Sequence, residues 1–426
     1  MLKAQRGRVV AHLARSLGLG QLALAEDAVQ AAAVRALESW PVSGVPDNPA
    51  GWLYRVARHQ CIDTLRRDGR HDAWPEDDDA EAMSLVPVQP APAGRFAGEL
   101  DDDELALLFA ACHPTLPVAS QVALALRALT GLELEQIAEG LLCSTAGLAQ
   151  RLARARELWA RLGIQPGLPA GHELAPRREA VLTTLLLMFH AGMKASGRQG
   201  TAQSSVGSGP MSLCWEAIRL ARALAAHPAA SHPDAHALAA LLLLHGARLT
   251  GRLDEHGDII PLPGQARDRW DAGMLRMGFA HLQRAQRAVV LSRWHLQAGI
   301  AAEHAAAPDH AGTDWPAIAR YYELLLVLDG STAPRLGHAI ALAEAGEAAR
   351  ARDLLQRLLP DVPRTLQAQT LAALARAFER LGEVNDAQLF LQRAKAAALH
   401  PADARQLERH AGTLSGAAPR LDVLGR

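Results

Sequence analysis

A chain of 426 residues is too long for one compact core and calls for two or three domains. Apolar residues make up 49% of it and aromatic residues only 4%, with Ala, Leu and Arg abundant, a balance that favours helices over strands. Four scattered cysteines without a CxxC pair argue against structural zinc and a disulfide framework. The start, MLKAQRGRVVAHLARSLG, lacks the apolar core of a secretory signal. Runs such as Leu238–Leu244 fall well short of the roughly 20 residues a bilayer span needs. The expectation is a cytoplasmic chain with no membrane span, metal or cofactor.

The net charge of −1 conceals two opposed blocks. Residues 1–70 hold ten Lys or Arg against six acids, a net of +4, whereas residues 71–105 hold one Arg against eleven acids, a net of −10.

In chain order, Leu24 to Trp40 places Ala28, Ala32, Leu37 and Trp40 at helical spacing, with acids in the first turn where the dipole favours them. Pro41 to Pro49 is rich in turn residues and predicts a loop. A second helix is predicted from Ala50 to Arg67, with Trp52, Leu53, Val56, Cys61, Ile62 and Leu65 on an apolar stripe and Arg55, Arg58, His59, Arg66 and Arg67 opposite. Residues 71–100 combine acids and prolines with few large apolar groups and predict a flexible linker.

A second helical unit, 101–163, carries the pattern of a helix-turn-helix. Val118–Leu129 supports a short helix, Leu134–Leu141, whose Ile137 and Ala138 face inward. Ser144 is placed to cap a longer helix, Thr145–Leu162, with Leu148, Leu152, Ala155 and Trp159 toward the core. The opposite face offers Thr145, Ala146, Gln150, Arg151, Arg154 and Arg161. In such a unit the first residues of the second helix reach base edges and later cations meet phosphates. An ordinary amphipathic helix with a solvated Arg face has the same pattern, and Gly147 within it costs up to about 1 kcal/mol relative to Ala.

Beyond Gly163, residues 177–415 predict an almost unbroken helical tail, interrupted by the Gly/Ser-rich Ser196–Gly209. Gly346–Arg357 and Gly382–Arg393 match at an offset of 36 residues, close to the period of tetratricopeptide helix pairs. Trp52, Tyr54, His59 and the neighbouring arginines interleave rings with positive charge, as single-strand binders do, although Trp52 also reads as a core residue.

Glu26–Gln30, Ala36–Trp40, Pro46–Leu53 and Val56–Asp63 together resemble region two of extracytoplasmic-function sigma factors, and Gln121–Ala155 resembles their region four. Val181–Ser196, Ala247–Asp254, Leu262–Trp270 and Thr313–Trp315 resemble the subgroup with a tetratricopeptide-like extension. The resemblance implies an all-α fold of region two (1–70), linker (71–100), region four (101–163) and helical extension (177–415). It implies that the chain binds core RNA polymerase at the β′ clamp helices and the β flap, and directs promoter recognition, melting and initiation.

By the same resemblance Asp27, Gln30 and Arg35 face the polymerase. Asn48, Trp52, Arg55, Arg58 and His59 meet the melted −10 element. Thr145, Ala146 and Gln150 read the −35 element while Arg151 and Arg154 hold its phosphates. The extension regulates or assists, with a protein partner of its own.

Two other classes of function bear on this sequence. Eighteen histidines raise the possibility of an enzyme, but no HExxH, Gly-rich phosphate loop or nucleophile elbow is present, and none is expected to act catalytically. The other is a helical scaffold that binds a protein partner through its tail.

Overall fold

The computed structural model describes residues 2–67, 104–129, 134–141, 143–163, 169, 171–196, 211–228, 230–252, 254, 260–399 and 404–409. The acidic linker and, beyond Ser196, the Gly/Ser-rich stretch predicted above lie outside these residues. The fold is all-α, with no strand among the described residues. It divides into two compact units, Met1–Ala195 with Pro210–Ala230, and a second built on Ser231–Arg426.

In the first unit, α1 (Leu2–Leu17), α2 (Leu22–Ser43) and α3 (Pro49–Arg67) pack on one another. Their shared core is Val9, Val10, Leu13, Leu22, Val29, Leu53 and Cys61, with small Ala25, Ala28, Ala32, Ala36 and Ala57 allowing close approach. Leu37, expected on the core stripe, is 66% exposed, because the buried stripe runs through Ala36 one residue earlier. Val56 and Ile62 are only half-buried, and Ala50 and Ala57 take inward positions on α3.

The predicted loop is shorter than Pro41–Pro49. Helix α2 runs through Pro41 to Ser43 and stops at Gly44, whose φ of +83° only glycine adopts readily and whose N–H bonds the Trp40 carbonyl at 3.0 Å. Pro41 is tolerated on the exposed face, where the Leu37 carbonyl it leaves without an amide can meet water.

The second block of this unit opens with α4 (104–111) and continues as α5 (Val118–Leu129), α6 (Leu134–Gly140) and α7 (Thr145–Leu162), the last three packed together. Then follow α8 (Gly171–Ser196) and α9 (Met211–Ala226). These two helices fall within the predicted tail, yet they belong to the first compact unit. The Cys112 thiol donates to Thr184 Oγ1 at 3.3 Å and the Cys214 thiol to the Phe189 carbonyl at 3.3 Å, tying α8 to its neighbours.

The second unit strings helices into antiparallel pairs: α10 (Pro233–Gly246) with α11 (Ala272–Ala285), then α12 (Arg293–Ala306) with α13 (Trp315–Leu328). Next come α14 (Thr332–Glu344) with α15 (Ala348–Leu358), and α16 (Arg364–Arg380) with α17 (Val384–Ala397). The offset of 36 is structural in the last two pairs. Buried Ala351 and Leu355 of one recur as buried Ala387 and Leu391 of the other. Both turns end on a left-handed glycine, Gly346 at +95° and Gly382 at +77°. Both repeat the same wide bond, from Glu347 N–H to the Leu342 carbonyl and from Glu383 N–H to the Phe378 carbonyl, each 2.9 Å.

Candidate nucleic-acid interface

The first candidate surface is built on α2 and α3. The residues that face inward on α2 leave Asp27, Gln30 and Arg35 exposed, and with them Val34 at 49% and Leu37 at 66% exposure. These two apolar residues, one turn apart, give the face an apolar element beside its charges, as docking faces have. An open groove of ≈ 610 Å³ between α2 and α3 brings Arg35 together with His59, along with Val34, Asp63 and Arg67. The His59 ring lies 3.5 Å from the Asp63 carboxylate one turn on.

At the start of α3, Pro49 occupies the first helical position and Asn48 caps the helix, its Oδ1 accepting the Gly51 N–H at 2.9 Å. A Cβ on Gly51 would stand 2.8 Å from the Asn48 amide nitrogen, so a larger residue there would push the capping side chain aside. Asn48 therefore has a local structural role beside the one predicted for it. Trp52 is half-buried and meets Trp40 edge to face, centroids 5.5 Å apart at 68°. Arg55 and His59 are exposed and Arg58 is half-buried, on the faces of α3 that its buried stripe leaves outside.

The second candidate surface is α7. Ser144 Oγ accepts the Gly147 N–H at 3.1 Å, and a Cβ on Gly147 would lie 2.9 Å from that oxygen. Gly147 thus suits the capped first turn. Ile137 and Ala138 of α6 and Leu148, Leu152, Ala155 and Trp159 of α7 are all buried. The Trp159 ring N–H is satisfied by the Ala110 carbonyl at 3.1 Å. With that stripe anchored, Ala146, Gln150, Arg154 and Arg161 are exposed, and Thr145 and Arg151 are half-exposed. The predicted base-reading and phosphate-holding residues all lie on α7 outside its buried stripe. The two candidate surfaces lie on separate helical blocks.

Sequence reasoning missed the charges that join those blocks. Glu26 of α2 is 3% exposed, and its Oε2 accepts Arg127 Nε of α5 at 3.2 Å and Arg156 Nη2 of α7 at 3.2 Å. Burial raises the Glu26 carboxyl above the usual range in spite of Arg127, Arg156 and Arg6, and its Oε1 is buried with no hydrogen-bond partner. A second buried acid, Glu104 of α4, takes a two-pronged pair from Arg219 of α9 at 2.7 and 2.9 Å, with Arg8 of α1 at 3.7 Å.

Burial pushes the Glu104 carboxyl up to about 7, against Arg219. Arg219, despite its own burial, is held above its usual range by Glu216 and Glu104. The Glu104 side chain is only 2% exposed, and Arg219 divides its charge between Glu104 and Glu216, so burial outweighs the ion pair at Glu104. The signal that could have found Glu26 is its place next to Ala25 on the Leu22–Val29 stripe, where an acid must find a partner.

Between α1 and α5 the approach is closer still: a Cβ on Gly7 would fall 1.9 Å from the Leu129 carbonyl oxygen. The buried thiols Cys61 and Cys112 are pushed up by burial, to about 11 and about 12, and suit packing rather than reactivity. Among the described residues there is no group of three or more His, Cys, Asp or Glu able to hold a metal, and no helix long and apolar enough to cross a membrane.

Compared with known proteins, residues 2–71, which hold the whole α1–α3 surface, match sigma-70 region 2. Sigma-70 region 2 is a segment of factors that direct RNA polymerase to promoters. Residues 177–286 match a family of unknown function, DUF6596. The chain is 38% identical over 327 residues to an uncharacterized protein of Rhizobium meliloti (strain 1021), covering 76% of this chain and 74% of that protein. The chain belongs to one family with that protein, and it carries a sigma-70 region 2 segment at residues 2–71 and a DUF6596 segment at residues 177–286. No solved structure matches it.

Proposed function

We propose that the chain is an alternative sigma factor of the extracytoplasmic-function type, whose tetratricopeptide-like helical pairs regulate or assist it. The observation that carries this reading is the exposed face of α2, where Asp27, Gln30, Val34, Arg35 and Leu37 lie within the sigma-70 region 2 match. That face docks on the clamp helices of the polymerase β′ subunit. Trp52, Arg55, Arg58 and His59 flank the melted −10 strand, ring stacking and charge offsetting the few kcal/mol that unstacking a base costs. Asn48 contributes from its loop, as cap and as base contact.

The α5–α7 unit serves as region four and meets the β flap. Thr145, Ala146 and Gln150 enter the major groove at the −35 element, and Arg151 and Arg154 hold phosphates. The chain acts in the cytoplasm and carries out no catalysis of its own. The helical pairs of the second unit, with their repeated turns, suit a protein partner.

A pull-down of core polymerase on the immobilised full chain tests the docking face. Wild type retains core enzyme, and the double variant Gln30→Ala, Leu37→Asp loses most of it while keeping its helical circular dichroism. Equal retention by the two would move polymerase docking away from α2.

A further inference from the structure

The second unit also holds a cavity that the sigma reading leaves unused. It opens between the end of α13, the first turns of α14 and the last turn of α15, with a volume of ≈ 460 Å³. A Cβ on Gly337 would fall 2.5 Å from the Tyr322 ring, so α13 and α14 approach closely and their side of the cavity is fixed. On the other side, Leu354 of α15 packs against two apolar clusters, one spanning α12 to α15 and the other α14 to α17. The cavity therefore lies at a seam in the core, held by packing on both sides. Gly330, just past α13, leaves room at its edge: within 4 Å a Cβ there would meet only Arg335 Nη2, at 3.8 Å.

The lining has two layers. Leu358 is buried and Leu326 and Leu354 are half-buried, which makes the inner wall aliphatic. Arg335, Arg357 and Asp361 are exposed and form a charged rim. Arg357 donates through Nε to the Asp353 carbonyl at 3.1 Å, which orients the guanidinium and leaves both Nη groups for another acceptor. Arg335 makes no hydrogen bond or ion pair among the described residues. His338, also on the lining, is 7% exposed, and its Nε2 lacks a hydrogen bond, 3.6 Å from Glu323. Burial holds this ring below its usual range against the pull of Glu323, so it adds no charge at neutral pH. Two cations then stand against one acid, and the rim carries one positive charge in excess.

Each layer selects a part of the ligand. The leucine wall gains from being covered by hydrocarbon. A guanidinium fork matches a planar carboxylate, and one excess charge suits a monoanion better than a dianionic phosphate. We propose that this cavity binds a free aliphatic monocarboxylate, its chain laid on Leu326, Leu354 and Leu358 and its carboxylate held between Arg335 and Arg357. The site lies wholly within the second unit, and this inference stands apart from the sigma reading.

The test is calorimetric titration of the full chain with octanoate, beside acetate, which lacks the chain, and 1-octanol, which lacks the charge. Octanoate is expected to bind saturably, one per chain, and at least tenfold more tightly than either control. Arg335→Gln and Arg357→Gln should each weaken octanoate by about tenfold, between the loss for a buried charge-assisted bond and that for an exposed ion pair. Asp361→Asn should tighten it a few-fold by raising the excess charge, an effect that a purely structural residue would not give. Arg276→Gln, on α11, should leave it unchanged. The exposed rim positions keep the fold, which circular dichroism of each variant checks. Octanoate bound no better than acetate or 1-octanol, bound without saturation, or bound equally by the double variant Arg335→Gln, Arg357→Gln would overturn the proposal.

Discussion

The two units are held together by different means. In the first, helices far apart in sequence are joined by buried acids: Glu26 reaches Arg127 and Arg156, and Glu104 reaches Arg219. In the last two helix pairs of the second, neighbours along the chain pack through a repeated apolar register, Ala351 and Leu355 answered by Ala387 and Leu391. A buried ion pair specifies which helices meet while adding little net stability, since desolvation opposes the Coulomb gain. A stacked apolar register adds stability with every pair. The first unit is thus organised for one particular arrangement of its blocks, and the second for cumulative stability.

The largest effects should come from breaking the apolar register. Leu355→Ala and Leu391→Ala remove equivalent, fully buried side chains, and each should cost about 2–5 kcal/mol by denaturant unfolding of the second unit. Similar losses at the two sites would support the repeat, and a loss at one alone would argue that the pairs are not equivalent.

Next comes the acid that joins the two blocks. Glu26→Ala leaves Arg127 and Arg156 without their shared partner and should destabilise the first unit by about 2–4 kcal/mol. Glu26→Gln should cost less. If Glu26→Ala is silent in a melt that resolves the two units, the blocks are joined by apolar contact alone.

A smaller effect concerns pH. Burial raises the Glu104 carboxyl, so the folded protein holds this proton up to about pH 7, well above the point where the unfolded chain releases it near 4.5. The stability tied to that proton is fully present below pH 4.5 and fades as pH rises through 7. The first unit should therefore melt higher at pH 6 than at pH 8, and Glu104→Gln should flatten that difference. An unchanged slope in the variant would assign it to another group. Smallest of all, Ser144→Ala removes the α7 cap and should cost about 1 kcal/mol, with weakened promoter binding.

Much of this was legible in the sequence, for identifiable reasons. The α5–α7 limits follow from Ser144 as a cap and from Leu148, Leu152, Ala155 and Trp159 at helical spacing, signals local to one helix. The 36-residue offset was readable because left-handed turns demand Gly346 and Gly382. What could not be read depends on distant partners. Leu37 fits the helical stripe as well as Ala36 does, and only packing on α1 and α3 decides which faces inward. Pro41 reads as a loop because sequence cannot tell that its missing N–H falls on the exposed face. Of the candidate sites, the exposed sides of α2 and α7 follow from the stripes that bury the others.

The most direct test of the central claim is run-off transcription with purified core polymerase on the DNA upstream of the protein's own coding sequence. A discrete transcript is expected that requires the full chain and weakens when Arg154 is changed to Ala. In filter binding, that change should lower the salt slope by about one, as for one lost phosphate contact. No transcript, with core polymerase left unbound by the full chain, would contradict the account.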